Sequence, residues 1–132
     1  MWLQAKILVV DDEPIVCQSC RKILAADGHD VCVALSGEEA LRKMENEDFD
    51  VALVDLKIPG SGGLSLVRAI RKTSPQTEVV VITGYPSIEN AKESIRLGAF
   101  DYVTKPFVPE TVRSVVFQAL TCQPWTMMER RC

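Results

Sequence analysis

Five short apolar runs, each parted from the next by a stretch of helical periodicity, leave this chain very few folds. The runs are Ala5–Val10, Val31–Ala34, Val51–Asp55, Glu78–Thr83 and Phe100–Thr104. Strands of this length alternating with helices predict βα units and a parallel sheet covered on both faces. The first helix should start at Pro14, whose fixed φ suits a first turn, and run to about Asp27 with Val16, Cys20, Ile23 and Leu24 inward. Gly28 stops it. Ser36 and Glu39 have capping-box spacing ahead of a helix carrying Ala40, Leu41 and Met44. A third helix runs from about Leu64 to Lys72, with Leu64, Val67 and Ile70 inward, until Ser74-Pro75 breaks it. The fourth spans Ser87 to Leu97 and ends at Gly98. The fifth spans about Pro109 to Leu120. Right-handed crossovers then reduce the topologies to one natural choice, a single doubly wound five-stranded sheet of order 2-1-3-4-5 with helices on both faces.

The rest of the chain agrees with one α/β domain. At 132 residues, with 47% hydrophobic and 25% charged, it can bury a core without staples. A net charge of −3, with no basic stripe or recognition helix, gives no pull toward nucleic acid or anionic membrane. No apolar run nears the roughly 20 residues a membrane span needs. The start, MWLQAKILVV, lacks a signal-peptide pattern. The five cysteines are odd in number, which argues against a closed disulfide framework and fits a reducing cytoplasm. Cys17 and Cys20 form a C-x-x-C, but no second pair follows and His29 is the one histidine, so four zinc ligands are hard to assemble. Cys20 is expected to pack as a small hydrophobe with Cys17 beside it. Residues 122–132, CQPWTMMERRC, have no clear pattern and read as a tail, a linker or an appended docking segment.

Ligands of such sheets bind outside the carboxyl ends of the strands. There the sequence ILVVDDEP places Asp11, Asp12 and Glu13 after the first run. The third run ends at Asp55, the fourth at Thr83, and Lys105 follows the fifth. Any one of these has a bland explanation, since an acidic pair often only charges a helix start. Together they put three carboxylates, a hydroxyl and an ammonium on one rim. Crowded carboxylates raise one another's pKa values, and a divalent cation relieves them. All-oxygen ligands with open positions suit Mg²⁺, or Mn²⁺, alongside phosphate oxygens. A metal with a carboxylate, an amine and a hydroxyl is a set for phosphoryl transfer, which needs positioning and charge neutralisation above all. Asp55, the single acid on the central strand, is the candidate nucleophile.

The motifs VVDDE, VALVDLKIPG, VVVITGY and FDYVTKPF, taken together, resemble those of response-regulator receiver domains of two-component signalling. The resemblance covers residues 5–121. It implies a flavodoxin-like fold and a phosphoprotein that takes a phosphoryl group onto Asp55 as an aspartyl phosphate, from a sensor histidine kinase or a phosphotransfer protein in a phosphorelay. It implies that Asp12 ligates Mg²⁺ directly, Asp11 mainly through water, and that Asp55 and the backbone carbonyl of Lys57 complete the protein's ligands. Thr83 and Lys105 would each hold a phosphoryl oxygen, with Lys105–Pro106 cis and Gly84 leaving the group accessible. Lys57 and Tyr85 would flank it. Glu13 reads as a first-turn acid. Thr83 and Tyr102 would form the switch, altering a surface of the fourth helix, fifth strand and fifth helix through which such domains dimerise or dock partners. The implied role is a signalling module more than an enzyme, cytoplasmic and part of a larger regulator or hybrid kinase.

Three other readings compete. A Mg²⁺-dependent phosphatase using an aspartyl phosphate would carry a second Asp two residues after the nucleophile, where Lys57 stands. A flavin-binding domain would need a phosphate-cradling loop where DDEP stands. An unphosphorylated interaction module on the receiver fold would have lost an acid or the lysine, and none of the five key residues is missing.

Overall fold

The computed structural model describes residues 4–60 and 62–122. The elements alternate strictly: β1 (Lys6–Val10), α1 (Pro14–Ala26), β2 (Asp30–Ala34), α2 (Gly37–Asn46), β3 (Val51–Asp55), α3 (Gly63–Thr73), β4 (Glu78–Thr83), α4 (Ile88–Arg96), β5 (Asp101–Thr104) and α5 (Pro109–Thr121). The five strands are parallel in the order β2-β1-β3-β4-β5. This is the doubly wound sheet the alternation predicts. The 122–132 segment lies outside the described residues except for Cys122.

Side-chain alternation along each strand divides the core into two layers. Ile7, Val9, Val51, Leu53, Val80 and Ile82 face Cys17, Cys20 and Leu24 of α1 and Val112, Val115, Val116 and Ala119 of α5. Leu8, Val10, Ala52, Val54, Val79 and Val81 face Ala40 of α2 and Leu66, Val67 and Ile70 of α3, with Phe49 and Ile58 closing the layer. β3 is buried along its whole length, so its last residue, Asp55, is delivered to the rim from the middle of the protein.

Three local details differ from expectation. On α3 it is Leu66, not Leu64, that points fully inward, on one face with Val67 and Ile70, and the helix starts at Gly63. Val16 and Ile23 are only partly covered, while Cys17 is buried beside Cys20 as expected. In the capping box, Ser36 Oγ accepts from the Glu39 amide at 3.1 Å, but Glu39 Oε1 accepts from the amide of Leu35 at 2.8 Å, so the return bond lands one residue upstream of the cap. Ser87 caps α4 by accepting from the Asn90 amide at 3.0 Å. Gly28, at φ 92°, closes α1 in the left-handed region where a glycine is favoured. Among the described residues, no helix is long and apolar enough to cross a membrane.

Candidate functional site

The sheet register carries the sequence-predicted residues to one rim. The Asp11 amide donates to Ala34 O at 3.1 Å, the Leu56 amide to Ile82 O at 3.3 Å, and the Lys105 amide to Thr83 O at 2.7 Å. The ends of β1, β3, β4 and β5 are thereby aligned. Asp12, Glu13, Asp55, Lys57, Gly84, Tyr85 and Lys105 line a cleft of about 490 Å³ at this edge.

Asp11, Asp12 and Asp55 each offer a carboxylate oxygen, and these atoms all lie within 4.8 Å of one another. Lys105 supplies the local counter-charge. Its Nζ donates to Asp11 Oδ2 at 2.8 Å, to Asp55 Oδ2 at 3.1 Å and to Glu13 Oε1 at 3.1 Å. The three acceptors are unequal, because the side chains of Asp11 and Asp55 are 3% and 5% exposed whereas that of Glu13 is 63% exposed. The Lys105–Pro106 bond is cis. Burial opposes charge on Lys105, but its hydrogen bonds to Asp11, Glu13 and Asp55 outweigh burial and raise its pKa above the ordinary lysine value. Burial raises the Asp11 carboxyl above the usual carboxylate range, and the neighbouring Asp55 charge adds to the rise, while Lys105 and the Glu13 amide oppose it. Asp11, Asp55 and Glu13 thus share the Lys105 ammonium with Asp12 close beside Asp11 and Asp55, the crowding of negative charge expected of a cation-binding cluster. An all-oxygen donor set that is half buried and open to a cleft fits Mg²⁺ or Mn²⁺.

Two turns hold the acids in place. The Glu13 amide donates to Asp11 Oδ1 at 2.9 Å, and the Lys57 amide donates to Asp55 Oδ1 at 3.1 Å. Both Asp55 oxygens are therefore oriented, one by a backbone N–H and the other by Lys105. After Asp55 the chain turns through Gly60 and Gly62, at φ 87° and 90°, into Gly63. A Cβ on Gly63 would sit 2.4 Å from Leu56 Cα and 2.6 Å from Asp55 O. The missing side chain of Gly63 permits this close approach of α3 to the end of β3, and no phosphate-cradling sequence stands there.

Thr83 is buried, and its Oγ1 accepts from the Tyr85 amide at 3.0 Å. The exposed Tyr85 ring lies under the Lys57 ammonium, 4.1 Å from the ring centroid to Nζ. Tyr102 is half-buried and does not line the cleft; its hydroxyl accepts from the amide of Ser87, the cap of α4, at 3.3 Å. Cys17 and Cys20 are free buried thiols whose pKa values burial pushes up to about 11, which suits packing and not redox chemistry. Cys17 Sγ donates to Asp11 O at 3.2 Å, so the thiol braces the acidic turn from behind.

Glu13 is the site residue whose part the sequence hid. It is the N-cap of α1 but makes no side-chain capping bond. Its carboxylate goes to Lys105 instead, a pairing across 92 residues that no local pattern encodes.

A family model described as "Response regulator receiver domain" matches residues 7–117. The response regulator protein PilR of Pseudomonas aeruginosa is 37% identical over 115 residues, which are 87% of this chain and 26% of that protein. The chain thus spans about a quarter of the length of the curated relatives it matches. A CheY-like receiver domain protein from Methanospirillum hungatei JF-1 superposes with TM-score 0.86 at 35% identity, covering 89% of this chain and 94% of that one. The receiver domain of NtrX from Brucella abortus does so with TM-score 0.84 at 34% identity, covering 89% and 99%.

Proposed function

From the premise that this chain belongs to the response-regulator receiver family, we propose that it is a phosphoacceptor that takes a phosphoryl group onto Asp55. The observation that carries the reading is the geometry of Asp55 itself. It is buried at the end of the central strand, with one oxygen held by the Lys57 amide and the other by Lys105. In the transfer, an Asp55 oxygen forms a new bond to phosphorus. The bond from phosphorus to the donor, a histidine nitrogen of a kinase or the acyl oxygen of a small phosphodonor, breaks. Lys105 and Thr83 each take a phosphoryl oxygen, and Gly84 leaves room for it. Asp11, Asp12, Asp55 and the carbonyl of Lys57 would hold Mg²⁺, and Mn²⁺ would suit the same oxygens. The ion supplies neutralisation of the charge gathered in the cleft.

The product is a modified protein and not a released compound, so the role is signalling and not enzymatic turnover. Residues 5–121 form the receiver of a cytoplasmic regulator or hybrid kinase, and the likeness to the response regulator PilR supports the regulator. The switch surface is α4, β5 and α5. The bond between Tyr102 and the α4 cap supports this, as do Ile88 and Ile95, which α4 leaves 75% and 51% exposed. On phosphorylation Thr83 moves toward the phosphoryl group and Tyr102 turns inward, which frees Ser87 and changes that surface for a second copy or a partner. The partners are a sensor histidine kinase or a phosphotransfer protein, with no direct nucleic-acid contact by this segment. The test is uptake of phosphoryl label from a small acyl phosphate, with and without Mg²⁺, in the wild type and in Asp55→Ala. Metal-dependent label absent from the variant is expected. A folded, Mg²⁺-binding wild type that takes no label from the acyl phosphate or from a histidine kinase would leave only the interaction-module reading.

A further inference from the structure

We propose that Glu13 competes with the phosphoryl group for Lys105, occupying the ammonium's third N–H before transfer and yielding it to an incoming phosphoryl oxygen. The inference rests on the phosphoacceptor reading of Asp55. An ammonium has three donors and no acceptor. Asp11, Asp55 and Glu13 take all three, at 2.8, 3.1 and 3.1 Å. Lys105 therefore has no N–H left for a phosphoryl oxygen until one carboxylate lets go.

The three partners would release it at very different cost. Asp11 and Asp55 are almost fully buried and belong to the carboxylate cluster, so unpairing either leaves a poorly hydrated charge beside like charges. Glu13 lies outside that cluster and stands mostly in solvent, where a released carboxylate is rehydrated at once. An exposed ion pair holds its partner only about 1.4- to fivefold better than water does. The side chain is also free of other duties, because it makes no capping bond to α1, and the backbone of Glu13 stays anchored through its amide to Asp11 when the carboxylate swings away. Glu13 further lines the same cleft as Asp55, so its charge opposes any approaching phosphate. Its removal should act at binding and not at the chemical step.

The experiment compares the wild type with Glu13→Gln and Glu13→Ala in Mg²⁺. Two quantities are read: the kinetics of labelling by acetyl phosphate, and the Kd for beryllofluoride, a phosphoryl mimic, by ¹⁹F NMR. Both variants should label with a kcat/KM raised about two- to fivefold, mostly through KM, and bind beryllofluoride tighter by a similar factor. The gain should shrink in high salt, which screens an exposed charge. Label in the wild type with equal or weaker labelling and beryllofluoride binding in both variants would overturn the role of Glu13 while leaving the phosphoacceptor reading intact. A wild type that neither labels nor binds beryllofluoride would overturn both.

Discussion

Removing the Lys105 ammonium from the acidic rim should destabilise the fold in a way that depends on pH and on metal. Lys105→Met keeps most of the apolar stem and deletes the charge, leaving Asp11 and Asp55, 3% and 5% exposed, with no cationic partner. Breaking a buried pair typically costs about 3–5 kcal/mol. Because the cleft admits water, the lower end applies, about 3 kcal/mol, or a Tm lower by roughly 10 °C for a domain of this size. The pH dependence follows from the raised pKa of Asp11. A carboxyl whose folded-state pKa lies above its unfolded value opposes folding when ionised. Without Lys105 that opposition grows, so the deficit should be largest near neutral pH and shrink as pH falls through the raised value. Saturating Mg²⁺ should restore much of it, by about 2.7 kcal/mol at one hundred times Kd. Urea unfolding followed by circular dichroism, in chelator at two pH values and then with Mg²⁺, measures each of these. A deficit under about 1 kcal/mol, or one that ignores both pH and metal, would refute the reasoning, because it would mean that the acids are already solvated and not frustrated.

Other outcomes follow from single contacts. Mg²⁺ affinity should rise with pH through the raised Asp11 pKa and level off above it, since only the ionised carboxyl binds, and calorimetry in two buffers should detect the released proton; a flat profile would remove Asp11 from the binding set. Gly63→Ala drives a methyl into the backbone of Leu56 and Asp55, at 2.4 and 2.6 Å. It should cost near the upper end of the overpacking range, about 3 kcal/mol, and weaken Mg²⁺ binding; an unshifted Tm would contradict the close approach. Tyr85→Ala strips the ring from beneath the Lys57 ammonium and opens the cleft to water, so the phosphorylated form should lose its label faster; an unchanged lifetime would contradict the shielding role.

Much of this architecture was legible in the sequence because strand ends are marked twice, by a switch from apolar to polar residues and by a turn signal. Val51–Asp55, buried throughout, and Glu78–Thr83, buried from Val79 on, come out with the residue bounds read from the chain, since a buried run frays little. Helix facing was less legible. Leu64 and Leu66 are both apolar on α3, and the choice between them depends on how the helix is rotated against the sheet. The close contact of Gly63 with the Leu56 backbone helps to fix that docking, a tertiary fact. The five polar residues of the rim could be collected from strand register alone. The ionic connections among them could not, because Glu13 meets Lys105 and Lys57 meets Tyr85 only after the strands align. The packing of Cys17 beside Cys20 was readable from the chain, whereas its bond to Asp11 O, which ties it to the acidic turn, was not.

The most direct test of the central claim is to locate the phosphoryl group. Wild-type protein labelled with acetyl phosphate in Mg²⁺ would be reduced with borohydride, which converts an aspartyl phosphate to homoserine, and then mapped by peptide mass spectrometry. The account predicts conversion at Asp55 and none at Asp11 or Asp12. Conversion at either of those two, or label that resists reduction because it is not an acyl phosphate, would contradict it.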